Sequence, residues 1–113
     1  MKIYHNPRCS KSRQTLEIIQ KQGHQPEIIK YLESPPSIKE IKNLLSLLNL
    51  QPRELMRKNE AAFKDNHMSN LYLSEDDLIE LMHNYPKVIE RPIVVNNNKA
   101  IIGRPPENVL TII

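Results

Sequence analysis

Nine prolines punctuate this chain of 113 residues, and they limit where helices and strands can run. A proline ring fixes φ and removes a backbone donor, so regular elements tend to begin just after one or stop just before one. The opening Lys2-Ile3-Tyr4-His5 reads as a short strand that Asn6-Pro7 turns. From Cys9 onward Leu16, Ile18 and Ile19 lie among polar residues, which predicts a helix, and Gly23 stands where a C-terminal cap is expected. Pro26 to Leu32, PEIIKYL, is rich in β-branched and aromatic residues and reads as a second strand. Residues 2–32 are therefore expected to form a βαβ unit with a right-handed crossover.

Ser34-Pro35-Pro36-Ser37 then breaks the chain, and Ser37 with Glu40 matches a capping box ahead of Ile38, Ile41, Leu44, Leu45 and Leu48. That helix should run to about Asn49. Pro52 suits the first turn of another helix carrying Leu55 and Met56, and Ser74 with Asp77 starts a further one through Leu78, Leu81 and Met82. After Tyr85-Pro86 the pattern changes: residues 93–95 and 100–102 read as two strands joined by an Asn turn, and Pro105-Pro106 opens a last helix. The predicted order is β-α-β, a helical insertion over about residues 37–85, then β-β-α. This is an α/β chain of thioredoxin-like fold with a four-stranded mixed sheet, in a single domain spanning residues 1–113.

Composition narrows the function. The 16 basic and 13 acidic residues leave a formal charge of +3, a mild excess that suits an anionic ligand. There is no Trp, only one Phe and no block of Lys/Arg, so nucleic-acid binding is not expected. His5, His24, His67 and His83 show no metal-ligand spacing, and two glycines are too few for a phosphate-binding loop. No apolar run approaches the roughly 18 residues of a membrane span, and the first residues lack a secretory core. A lone cysteine forms no internal disulfide, which fits a cytoplasmic protein.

That cysteine sits in HNPRCSKSR, residues 5–13. The loop after the first strand of a βαβ unit lies at the carboxyl edge of the sheet, where ligands usually bind. Cys9 would face the free N–H groups of the first helical turn, while Arg8, Lys11, Arg13 and, when protonated, His5 add positive charge; both favour thiolate over thiol. The alternative is an inert packed sulfur. The motif is C-x-x-S, so any resolving thiol must come from outside: glutathione, a glutaredoxin-like protein or another partner. Ser12 either hydrogen-bonds the sulfur anion or merely caps the helix. Arg57, Arg91 and Arg104 stand beside prolines or apolar residues, and guanidinium groups bind tetrahedral oxyanions through paired donors; taken singly, each also suits a surface ion pair. Pro92, just before a strand, is compatible with a cis peptide.

Together HNPRCSKSR, LMRKN (55–59), ERPIVV (90–95) and GRPPE (103–107) resemble the glutaredoxin-linked arsenate reductase family from the first strand to the last helix. The resemblance implies that Cys9 is the nucleophile, with His5 and Ser12 beside it, and that Arg57, Arg91 and Arg104 bind the substrate oxyanion. It implies attack of the Cys9 thiolate on arsenate, glutathionylation, and reduction by glutaredoxin with release of arsenite. Glutathione is then a co-substrate, with no bound cofactor. Two other classes share this fold. Thiol-stress regulators that bind RNA polymerase share the R-P-I strand entry but typically carry C-x-x-C. A monothiol glutaredoxin-like protein would use Cys9 and give the arginines no role.

Overall fold

A computed structural model describes all residues from Met1 to Ile113, and the chain divides into two compact units. The first joins Met1–Ser34 to Arg91–Ile113. Its strands are β1 (Lys2–His5), β2 (Glu27–Lys30), β3 (Ile93–Asn96) and β4 (Lys99–Ile102), and its helix α1 covers Ser10–Lys21. The sheet order is β2-β1-β3-β4. β1 runs parallel to β2, with His5 opposite Lys30, and antiparallel to β3; β3 and β4 form the hairpin. The expected four-stranded mixed sheet is thus present.

Alternation explains the core of this unit. Side chains in a strand point to opposite faces in turn, and Ile3 and Val94, directly opposed across β1 and β3, bury against Ile19 of α1 and Val109. Gly23 takes φ +85° just after α1, the left-handed conformation that suits a residue without Cβ. Asn97 turns the hairpin at φ 57°, which an asparagine tolerates.

Two sequence expectations change here. The second strand ends at Lys30, because Glu33 and Ser34 both donate backbone hydrogen bonds to the Lys30 carbonyl and turn the chain. The final segment, Pro106–Thr111, is a 3₁₀ helix and not an α-helix. Its neighbouring prolines supply no N–H, and Val109 and Thr111 are β-branched, so a short segment gains too little to close α-helical turns. It still packs on α1, and the Asn96 amide secures its end by donating to the Ile112 carbonyl at 2.6 Å.

The second unit, Pro35–Glu90, is helical. α2 (Ile38–Leu48) begins on the expected reciprocal cap: the Glu40 N–H donates to Ser37 Oγ at 3.0 Å, and the Ser37 N–H donates to Glu40 Oε1 at 3.3 Å. It ends at Asn49 in the left-handed region, φ 55°. A second such box, Ser74 with Asp77, starts α4 (Glu75–Asn84), which packs on α2. Pro52–Leu55 forms only a 3₁₀ turn, since Met56 leaves it to bridge Ile89. Two elements were not anticipated: α3 (Ala61–Asp65) and a 3₁₀ turn at Pro86–Val88. Both are too short to show a hydrophobic period, and α3 has no side-chain cap.

Candidate active site

The site of interest lies in the first unit. β1 ends at His5, and the next four residues form a tight loop: the Cys9 N–H donates to the Asn6 carbonyl at 3.0 Å, and the Arg8 N–H donates to Asn6 Oδ1 at 3.0 Å. Asparagine makes such local turns because its side chain can accept from the backbone two residues on. Arg13, from the first turn of α1, fastens the loop through a 2.9 Å bond from Nη1 to the Pro7 carbonyl. Cys9 then occupies the N-cap of α1 and accepts the first helical hydrogen bond, from the Arg13 N–H at 3.0 Å.

The Cys9 side chain is 8% exposed and makes no hydrogen bond to the helix N–H groups, a departure from the sequence expectation. Its sulfur has a guanidinium neighbour instead: Arg104 Nη1 lies 4.0 Å from Sγ, at the long end for a donor to sulfur. The same nitrogen donates to the Arg91 carbonyl at 3.5 Å. Arg91 sits at the entry to β3, where two of its guanidinium nitrogens, Nε and Nη1, are buried. The Arg91-Pro92 peptide is cis, as is Arg104-Pro105, which was not anticipated. Arg104 thus links the Cys9 sulfur to the Arg91 backbone carbonyl, although more than eighty residues separate Cys9 from either arginine.

His5 and Ser12 meet as well, through a bond that does not involve the sulfur. Ser12 is fully buried; its Oγ lies 2.6 Å from His5 Nδ1 and accepts the Asn6 N–H at 3.0 Å. The hydroxyl keeps its proton and a further lone pair, so the direction of the bond to His5 Nδ1 follows the imidazole tautomer. In place of a bond to sulfur, one of the two readings the sequence left open, Ser12 makes one that orients His5. The physical reason is position: Ser12 projects from the first turn of α1 toward the end of β1, where the imidazole and the Asn6 amide both need partners.

Burial, then the positive charges of Lys30 and Arg13, lower the His5 pKa below its ordinary 6.5. The unfolded chain consequently binds a proton more readily than the folded one. The stability held by neutral His5 is complete above the unfolded value and is lost as pH falls from there through the depressed folded value. The melting temperature of the wild type should therefore drop more than that of His5→Gln between about pH 7.5 and about pH 5. Parallel thermal scans check this, and coincident pH profiles would contradict it.

Arg57 belongs to the second unit. Its Nη1 pairs with Glu60 Oε1 at 2.5 Å and its Nε lies 3.8 Å from Glu90 Oε1, while its backbone N–H donates to Val88. Its environment there is that of an ion-paired arginine, the alternative that the sequence left open.

One positioning residue escaped the sequence reading. Gly103 donates its N–H to the Pro92 carbonyl at 2.9 Å, and a Cβ at this position would collide with Thr15 Oγ1 and lie 2.9 Å from Pro92 Cγ. Thr15 is itself fully buried, and its hydroxyl donates to the Lys11 carbonyl at 2.8 Å. Gly103 lets the end of β4 close on α1 and the cis-proline turn, and so sets Arg104 beside Cys9. A hint was visible: the chain has only two glycines, and this one precedes Arg104. Gly103→Ala should destabilise the protein by about 1–3 kcal/mol through overpacking. Adding Thr15→Ala should recover part of that loss, because neighbouring substitutions that share a space are not additive. Urea unfolding of the single and double variants tests this, and strictly additive losses would show that the two side chains do not compete.

The chain belongs to the ArsC family, whose family model matches residues 4–112. It is 50% identical to the uncharacterized protein YfgD of Escherichia coli (strain K12), covering 100% of this chain and 96% of that protein. It is 43% identical to the arsenate reductase of Haemophilus influenzae (strain Rd), over 98% of this chain and 97% of the relative. Among solved structures, an arsenate reductase from Vibrio cholerae superposes with a TM-score of 0.96 at 50% identity, covering 99% of this chain and 96% of that one. The fold is therefore the thioredoxin-like one that the sequence predicted.

Proposed function

We propose that this protein reduces arsenate to arsenite with Cys9 as nucleophile and an external thiol as reductant. The observation that carries the reading is the approach of the exposed Arg104 side chain to the buried Cys9 sulfur. A thiolate and an arsenate oxyanion repel each other, and a fixed guanidinium beside the sulfur offsets that repulsion and the charge that builds up at the transition state. Arg91, whose carbonyl is tied to Arg104, is the second candidate for the oxyanion.

The chemistry balances with one protein sulfur. The Cys9 sulfur bonds to arsenic and one oxygen leaves as water. A glutathione thiolate then bonds to the Cys9 sulfur, the S–As electron pair passes to arsenic, and As(V) departs as As(III). The mixed disulfide left on Cys9 is returned to thiol by glutaredoxin, with further glutathione as the electron source. The chain's single cysteine supports an external resolving thiol, and it disfavours a regulator switched by an internal disulfide. Glutathione is consumed and no cofactor stays bound, so the chemistry suits the reducing cytoplasm.

The test is arsenate-dependent NADPH oxidation in the presence of glutathione, glutaredoxin and glutathione reductase. Turnover proportional to enzyme is expected. Absence of turnover with active glutaredoxin would refute the reading.

A further inference from the structure

The hydrogen bonds of the Cys9 loop are unevenly spread. The Asn6 N–H donates to Ser12 Oγ, the Arg8 N–H to Asn6 Oδ1 and the Cys9 N–H to the Asn6 carbonyl, each at 3.0 Å, while Pro7 has no N–H. All three bonds involve Asn6, so they fix the start of the loop. The Pro7–Arg8 peptide, just ahead of Cys9, is tied from outside the loop by Arg13, whose Nη1 donates to the Pro7 carbonyl at 2.9 Å. Pro7 and Arg8 are both exposed, so burial does not secure that peptide.

The helix places Arg13 for this tie. Its N–H makes the first bond of α1, to the Cys9 carbonyl at 3.0 Å, and side chains of a helix lean toward its N-terminus. The guanidinium therefore comes back over the residues that lead into the helix. Lys21 and Arg57 spend their charge on carboxylates, whereas Arg13, although exposed, turns onto its own chain. His5, at the other end of the loop, also feels the Arg13 charge.

We propose that Arg13 is a positioning residue, which keeps the Cys9 sulfur against Arg104 by holding the Pro7–Arg8 peptide in one orientation. The proposal rests on the reading of Cys9 and Arg104 as the reacting pair. The soft backbone dihedrals flank each planar peptide, so an untied Pro7–Arg8 peptide can rock and carry Cys9 with it. The contact that this would disturb has little slack. Arg104 Nη1 is already 4.0 Å from Sγ, and at that range the Coulomb attraction falls by about a fifth for one further ångström. Arg104 is set from the opposite side, by Gly103 against Thr15 and Pro92, so the Cys9 side is the one that moves.

The test is a double-mutant cycle on the field at the sulfur. Cys9 is alkylated with iodoacetate and with iodoacetamide in wild type, Arg13→Ala, Arg104→Ala and the double variant, and the ratio of the two rates is compared, which cancels changes in access to the buried thiol. Arg13→Ala should lower the preference for the anionic reagent about threefold. In the Arg104→Ala background the same substitution should change it by less than about 1.5-fold, because the guanidinium that Arg13 serves is already gone. An equal fall in both backgrounds would mean that Arg13 acts by its own charge and would overturn the proposal, as would an unchanged ratio in Arg13→Ala.

Amide hydrogen exchange gives a second readout. In Arg13→Ala the Arg8 and Cys9 amides should exchange about tenfold faster, the scale of one lost bond from a charged donor, while those of Ile19 and Val94 in the core stay unchanged. Acceleration of loop and core amides alike would reveal a general loss of stability and count against positioning. Neither measurement uses arsenate. If both give the expected result and the reductase assay fails, the Arg13 tie stands and the arsenate reading falls; if turnover is intact and the cycle is additive, the tie alone is refuted.

Discussion

Cys9→Ser should reduce arsenate-dependent thiol oxidation by about a thousandfold or more, the scale seen when the nucleophile of a covalent mechanism is removed. Serine is nearly isosteric, but its hydroxyl is not ionised at neutral pH, and neither helix end nor guanidinium changes that. The fold should survive unchanged. The hydrogen bonds that place residue 9 come from its backbone, between the Asn6 carbonyl and the Arg13 N–H, and serine is a favoured N-cap residue. Thermal unfolding should thus match the wild type or exceed it slightly. Glutathionylated protein, detected as a mass increase after turnover with limiting glutaredoxin, should vanish with the activity. Turnover within tenfold of wild type in a correctly folded Cys9→Ser would mean that the protein sulfur takes no covalent part, and the proposed function would have to be abandoned.

How far the sequence revealed this protein depends on the range of the interaction concerned. Local signals carried well: Ser37 with Glu40 and Ser74 with Asp77 mark helix starts because each cap closes within three residues, and both boxes form as expected. The hairpin was legible for the same reason, since Asn96 pairs with Lys99 and Asn97 takes the left-handed turn between them. Segments whose form depends on distant partners were misread. Pro106–Thr111 carries helix-opening prolines, yet what keeps it in place is packing on α1 and the bond from Asn96, ten or more residues away. Ser12 shows the limit inside the site. Spacing from Cys9 suggested a bond to sulfur, but the end of β1 brings His5 and Asn6 closer to the hydroxyl, and that is a fact of the folded sheet and helix. Gly103 could be noticed in the sequence but not explained, because the side chains that exclude a Cβ, Thr15 and Pro92, come from α1 and from the turn before β3.

The same long-range geometry makes Arg104 the more informative of the arginine substitutions. Arg104→Ala should lower kcat/KM for arsenate about a hundredfold, in line with the 2.7–4 kcal/mol or so that a single well-placed donor to a developing oxyanion can contribute. Arg104→Lys keeps the charge but loses the planar fork, and should recover only about tenfold of that loss. Stability should shift by no more than about 0.5 kcal/mol, because the side chain is exposed and the backbone position is set by Gly103 against Thr15 and Pro92. A purely structural role is separated from an electrostatic one by alkylating Cys9 with iodoacetate and with iodoacetamide, reagents of similar size that differ by one negative charge. Wild type should favour the anionic reagent relative to a free thiol, Arg104→Lys should keep part of that preference, and Arg104→Ala should lose it. If the alanine variant retains both the preference and the arsenate turnover, the guanidinium 4.0 Å from the sulfur is a bystander and the anion must be held by other groups. The design works because the two reagents probe the field at the sulfur directly, without glutathione or arsenate, so loss of charge at this one position cannot be mistaken for loss of either ligand.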